Sequence, residues 1–312
     1  MTIKKKENGI YGLFYRASKC WQLYVMILLP LIHLIVFRYI PMFGLQIAFR
    51  NFNPIQGIWA SQWVGLDHFI RFFDSFMFER VLINTIALSV YGILAGFPFP
   101  IILALSLNYL RKKWYAKTIQ TTTFMPFLIS SVVMVGIIMQ FLNTRNGVLN
   151  NMLEPLIGTR INFLGRSDLF RHVFVWTAVW QNTGYNAILY IAALAGIDPT
   201  LHEAAIIDGA NKWQRIRHID IPGIMPTVTI MFILSMGSIL TVGFERVFLF
   251  QNPLNMSTSE VISTYVYRVG LIAPIPQWSF AAAIGFFESL VGLIMLLIVN
   301  FVAKKLGGRG LW

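Results

Sequence analysis

Six stretches of apolar residues, each long enough to cross a bilayer as a helix, constrain this fold more than any other feature of the sequence. They run over 22–40, 82–110, 119–142, 173–196, 224–250 and 280–302. A hydrocarbon core about 30 Å thick takes about 20 residues of helix. No water reaches the backbone there, so each stretch must close its own hydrogen bonds and be helical. Composition agrees: 56% of the residues are hydrophobic and 12% charged, whereas soluble domains carry roughly 25% charged residues. One water-soluble core has no place for so much apolar surface; lipid does. The expected fold is all-α: a single polytopic membrane domain over 1–312 with six transmembrane helices. Pro30, Pro98 and Pro100 remove backbone donors from the first two stretches and predict kinks there.

Orientation follows from Lys and Arg. The net charge is +12, which in a soluble chain would point to nucleic acid. With both termini placed in the cytoplasm, the inside segments hold Lys4, Lys5, Lys6, Arg16 and Lys19, then Arg111, Lys112, Lys113 and Lys117. They also hold Lys212, Arg215 and Arg217, and finally Lys304, Lys305 and Arg309. Most of the basic residues therefore fall in the shorter set of segments, as the positive-inside rule requires. The charge reads as topology, with no nucleic-acid partner. The basic start and first apolar run look like a signal peptide. However, Phe37-Arg38-Tyr39-Ile40-Pro41 offers no small-x-small cleavage site, so a retained first helix is expected after a cytoplasmic segment 1–20. The lone Cys20 allows no internal disulfide and gets no role.

The most informative segment lies between the fourth and fifth stretches, at about 197–223. Leu201-His202-Glu203-Ala204-Ala205-Ile206-Ile207-Asp208-Gly209-Ala210 is too polar to span. Pro199 and Thr200 read as stop and cap before it, and Gly209 permits a turn that a side chain would obstruct. Trp213, Ile216, Ile219 and Ile221 then alternate with basic residues up to Pro222. This pattern predicts a short helix, a turn and a second helix at the cytoplasmic surface, fit to enter a groove on a soluble partner.

Glu203-Ala204-Ala205, then Gly209, Ile219 and Ile221-Pro222 at their spacing, resembles the "EAA" signature of ABC importer permeases; Ile221 stands where Leu is usual. The resemblance implies a coupling helix docked on an ATPase subunit, carried by Glu203, Ala204, Ala205, Asp208, Gly209, Ile219 and Pro222. It extends over nearly the whole chain. Tyr39-Ile40-Pro41-Met42, Trp63-Val64-Gly65-Leu66, Asn252-Pro253-Leu254 and Leu311-Trp312 look like the oligosaccharide branch of that family.

Polar side chains inside spans are costly and face cavities or partner helices. The fourth stretch holds Trp176, Trp180, Gln181, Asn182, Tyr185, Asn186 and Tyr190. Amides can bind sugar hydroxyls, and aromatic rings can cover a sugar's apolar face. By resemblance to the larger maltose-permease subunit, Gln181, Asn182 and Tyr185 fall on substrate-contact positions. Phe127 and Ser131 do likewise in the third stretch, and Arg246, beside Glu245, in the fifth. Interhelical packing is the alternative for each. Glu245 and Arg246 either neutralise charges near the outer surface or let Arg246 pair with an acidic sugar. The second choice implies a uronate-containing plant-polysaccharide fragment, such as a pectin or rhamnogalacturonan oligosaccharide.

The chain has no phosphate-binding loop of the GxxxxGK[S/T] kind and is not itself expected to be an enzyme. The resemblance implies no cofactor in this chain, with ATP and Mg bound by two partner ATPase subunits. A second, related permease chain and an extracellular sugar-binding protein complete the expected assembly. Its location is a bacterial cell membrane, multi-pass, with the C-terminus cytoplasmic, working by alternating access. An ATP-independent secondary sugar transporter or channel is the alternative.

Overall fold

The computed structural model describes residues 19–305. The basic residues assigned to 1–18 and the terminal Arg309 and Leu311-Trp312 lie outside the described residues. The chain packs as two units, residues up to His68 and residues from Phe69 onward.

The first unit is built on helix α1 (Trp21–Phe49). It runs further than the expected 22–40, continuing through a π turn at Ile35–Tyr39 and a 3-10 segment at Phe43–Phe49. None of its apolar window is buried among the described residues. A helix that is apolar all round is suited to lipid or a partner subunit. A two-residue strand β1 (Arg50–Asn51) then pairs antiparallel with β2 (Gln62–Trp63), so the fold is all-α apart from this clasp. Arg50 fastens it: its guanidinium donates to the carbonyls of Trp59 and Ser61 and stands 5.5 Å from the Trp63 ring.

The second unit holds the remaining elements. Helix α2 (Asp67–Phe73) crosses the boundary between the units. Next come α3 (Phe76–Asn108), α4 (Lys113–Leu128), α5 (Ser131–Phe141) and α6 (Val148–Ile157). They are followed by α7 (Ser167–Ala195), α8 (Pro199–Ile207), α9 (Lys212–Gly237), α10 (Phe244–Phe250), α11 (Ile262–Tyr267) and α12 (Trp278–Lys305). Four of the described helices, α1, α3, α9 and α12, are long and apolar enough to span a membrane, and α4 with α5 makes a fifth if taken as one span bent by 98°. Helix α7 has 29 residues, but the amides that mark it as interesting dilute its apolar character.

Two expected stretches are therefore corrected. The third, 119–142, breaks at Ile129, where Pro126 cannot donate and Ser130 caps a new helix by accepting from Val133 N–H. The fifth, 224–250, ends at Gly237, and residues 238–243 are non-helical before α10 begins. The break is tied to packing: a Cβ on Gly237 would meet Leu296, and one on Gly292 would come within 2.9 Å of the Gly237 carbonyl. Small residues here let α9 and α12 approach backbone to backbone. The second cytoplasmic helix is corrected as well. Lys212–Arg215 is no separate surface element but runs through a π turn, Ile216–Asp220, straight into α9. In α3 the expected interruption is found at Phe97, immediately before Pro98.

Three apolar clusters hold these helices. Leu88, Met134, Val135, Phe174, Val179, Val247 and Phe250 join α3, α5, α7 and α10. Phe72, Val81, Ile262, Tyr265, Phe280 and Ile284 join α2, α3, α11 and α12, where Phe72 meets Phe78 and Phe287 edge to face. Ala104, Ala187, Tyr190, Leu194 and Ile224 join α3, α7 and α9.

Candidate functional site

Helix α7 is central because its polar residues point two ways. At about 100° per residue, Gln181 and Tyr185 lie about 40° apart, while Asn182 lies about 60° beyond Tyr185 and about 100° from Gln181. The structure divides the expected contact residues along that line.

Gly184 sets the first face. A Cβ there would lie 2.2 Å from the carbonyl oxygen of Thr123, so only glycine lets α4 lie this close to α7. The approach brings the Phe127 ring onto Tyr185 with centroids 3.8 Å apart and planes within 6°. Phe124 adds a third ring 6.2 Å from Tyr185. Tyr185 is 45% exposed, so the platform presents an open aromatic edge. Ser131 begins α5 just past the break, half-buried.

Gln181 is buried and occupied. Its Nε2 donates to the Ile129 carbonyl at 3.2 Å, on the broken turn between α4 and α5. Its Oε1 accepts from Arg246 Nη1, and Arg246 Nη2 donates to Thr177 Oγ1 at 2.8 Å. The guanidinium lies 5.9 Å from the Phe174 ring and 5.8 Å from Phe250. Gln181 thus positions Arg246 and does not offer a free amide. Among the described residues no carboxylate pairs with Arg246, and Arg246 Nε is buried without a partner. Neighbouring Glu245 is exposed and makes no ion pair with it. A partly buried cation held by neutral acceptors and ring faces keeps donors to spare for an anion.

Asn182 does not join this group. It bonds back to the Ala178 carbonyl at 2.8 Å and lines a separate cavity of about 260 Å³ with Thr183, Asn186, Tyr190 and Ser235, facing Gly92 and Gly96 of α3.

At the loop, Asp198 and not Thr200 caps α8: its carboxylate accepts the Thr200 N–H at 2.9 Å, which holds that carboxyl below the usual range. Pro199 takes the first helical position, so the cap must precede it. Gly209 has φ of +80° with open space around it, so conformation rather than room requires glycine. Asn211 and Gln214 then exchange side-chain and backbone bonds at 2.9 and 2.7 Å to start α9. Glu203, Ala204, Asp208 and Pro222 are exposed, and Ala205 and Ile219 half-buried. Leu201 is 53% exposed, Ile206 56%, Ile207 85% and Trp213 79%. His202 turns inward, toward the buried Asp220.

Residues 96–308 match the family of binding-protein-dependent transport system inner membrane components, and the chain belongs to it. It is a permease of the ATP-binding-cassette sugar importers, a multi-pass membrane protein whose relatives are transport subunits rather than enzymes. The ATP-independent alternative gives way to that assignment. Two Bacillus subtilis (strain 168) proteins are similar along nearly their full length. Protein LplB is 40% identical over 290 residues, covering 93% of this chain and 91% of LplB. The polygalacturonan/rhamnogalacturonan transport system permease protein YteP is 38% identical over 290 residues, covering 93% and 90%. A chain in the crystal structure of a bacterial ABC transporter involved in the import of the acidic polysaccharide alginate superposes with a TM-score of 0.85 at 38% identity, covering 94% of this chain and 98% of that one. The same kind of transporter, in complex with an alginate pentasaccharide-bound periplasmic protein, gives 0.86 at 37% identity, covering 96% and 99%.

Proposed function

We propose that this chain is a six-span permease subunit that carries an acidic, uronate-containing oligosaccharide across a bacterial cell membrane by alternating access. The observation that carries the substrate class is Arg246, a guanidinium without a carboxylate partner beside an aromatic platform. Removing a charge from water costs free energy unless it is compensated, and a uronate carboxylate could supply that compensation as a charge-assisted pair. Tyr185 and Phe127 offer ring surface to the apolar face of a pyranose, and Ser131 a hydroxyl. The similarity to a polygalacturonan/rhamnogalacturonan permease and to an alginate importer supports the same class of cargo.

Both termini are cytoplasmic on this reading, and the loop around α8 is the coupling helix. Four large apolar side chains, Leu201, Ile206, Ile207 and Trp213, face water on an otherwise polar loop, which favours a docking surface for an ATPase subunit. A second permease subunit, two ATPase subunits binding ATP and Mg, and an external sugar-binding protein complete the machine. ATP closes the ATPase pair, the loops follow, and the two permeases rock from inward-open to outward-open.

The test is uptake by the complete importer in proteoliposomes, comparing a uronate oligosaccharide with a neutral one of equal length. Arg246→Gln should lower uronate uptake by about tenfold, the worth of one hydrogen bond to a charged group, and spare the neutral sugar. Arg246→Lys should fall between. An unchanged preference in Arg246→Gln overturns the acidic-cargo reading.

A further inference from the structure

We propose that Asp220 is a positioning residue: a buried carboxylate post that ties the loop helix α8 to α3 and α9, so that a push on α8 moves both helices together. The proposal rests on the reading of α8 as the ATPase-docking element and adds how its displacement is passed on.

Three separate parts of the chain converge on this side chain. Asp220 is fully buried. Its Oδ2 accepts the Tyr109 hydroxyl at 2.6 Å, from the residue that ends α3. Its Oδ1 lies 3.3 Å from His202 Nε2 of α8, within ion-pair distance, and is otherwise buried without a hydrogen-bond partner among the described residues. Arg215, one turn earlier in α9, lies 5.5 Å from the Tyr109 ring and closes the cluster. Asp220 itself ends the π turn Ile216–Asp220, the point where the loop becomes α9. A π turn inserts one residue into a helix and re-aims the side chains after it. Here one such side chain points inward between α3 and α8.

The energetics explain why such a post transmits motion. A buried carboxylate left unpaired costs several kcal/mol. Separating α8 from Asp220, or Asp220 from Tyr109, removes a neighbour from a side chain that is fully buried. The remaining hold on α8 is slight. Within α8 only His202 and Ala205 are half-buried, and the lead-in residue Ile197 packs over Gly223, where a Cβ would come within 2.6 Å of it. Apolar contact of that sort slides; the Tyr109 hydrogen bond and the close His202 contact on one buried carboxylate resist sliding.

The experiment uses the complete importer in proteoliposomes with its binding protein. It measures sugar imported per ATP hydrolysed, alongside ATPase co-purification and thermal stability. His202→Ala and Tyr109→Phe remove one partner each and keep the carboxylate. Each should lower the sugar-to-ATP ratio by about tenfold, the low end of the range for loss of one hydrogen bond to a charged group, with the ATPase still bound. Asp220→Asn should do at least as much, and His202→Ala added to Asp220→Asn should cost little more, because one post is already lost. Unchanged ratios in both His202→Ala and Tyr109→Phe, with the ATPase bound and stimulated, overturn the post and leave the docking reading intact. An ATPase that fails to co-purify with the unaltered chain overturns the docking reading and the post with it.

Discussion

The aromatic platform on α7 and the loop around α8 are built on opposite plans. At the platform every demanding group already has protein around it. Gln181 is bonded on both sides, Arg246 is held by an amide, a hydroxyl and two rings, and Tyr185 is stacked on Phe127. On the loop the large apolar groups have nothing: Ile207 and Trp213 stand in solvent. A preformed site lowers the ordering cost of binding a small, flexible ligand. An exposed apolar surface on a short, well-capped loop saves its burial for a macromolecular partner. On the function proposed above, the difference teaches that the subunit would recognise its cargo with geometry it makes itself and its ATPase with area that the ATPase must cover.

The hardest blow to the platform is Gly184→Val. A new side chain would start 2.2 Å from the Thr123 carbonyl, which is backbone and cannot swing away. Overpacking of this kind costs about 1–3 kcal/mol, and here it would also unstack Phe127 from Tyr185. Uptake should be lost for acidic and neutral sugars alike, with lower thermal stability of the purified complex. Retained uptake with normal stability would mean that α4 and α7 need not touch, and the platform would lose its basis.

The corresponding blow to the loop should leave the fold untouched. Trp213→Ala removes a ring that is 79% exposed, so the melting temperature of the permease should barely move. Binding of the ATPase subunit should weaken by about 2 kcal/mol if Trp213 is an anchor of the interface. Co-purification and a titration of ATPase onto the permease in lipid nanodiscs read this directly. A fall in stability with unchanged ATPase affinity would reverse the contrast between the two regions.

The same contrast explains what could be read from the sequence. Apolar run length picks out four of the described helices as long and apolar enough to span and a fifth as the bent pair α4 with α5, because lipid acts on each segment alone; α7, the fourth expected stretch, does not join them. Run length missed the breaks at Ile129 and after Gly237, where uninterrupted apolar sequence hides a bend set by Ser130 capping and by glycines of α9 and α12 meeting. On the loop, spacing was enough to find the helix, the turn at Gly209 and the residues through Pro222, since local chemistry shapes them. Asp220 was not legible. One acidic residue among Arg217, His218 and Ile219 reads as a solvated face, and its partner Tyr109 is 111 positions away. At the platform the residue types were visible in Gln181, Tyr185, Phe127 and Arg246, but not their division of labour, because Gln181 is spent on orienting Arg246.

The smallest effect sharpens the comparison by pH. Asp198 holds the start of α8 by accepting from Thr200 N–H, and that bond holds its carboxyl below the usual value. A depressed folded-state value means that the cap's contribution is complete above the ordinary carboxyl range and is lost as pH falls through the folded value. Lowering the pH should therefore loosen α8 slightly and reduce binding-protein-stimulated hydrolysis by a small factor. Asp198→Asn keeps an accepting oxygen that does not titrate; it should hold near-normal coupling at neutral pH and lose this component of the acid response. Asp198→Ala should show the reduced coupling at every pH. The measurement is stimulated ATPase activity from neutral pH down through the ordinary carboxyl range for the three chains, each normalised to its own unstimulated rate. If Asp198→Asn follows the unaltered chain throughout, the acid response comes from elsewhere in the complex, and the cap does no more than start the helix.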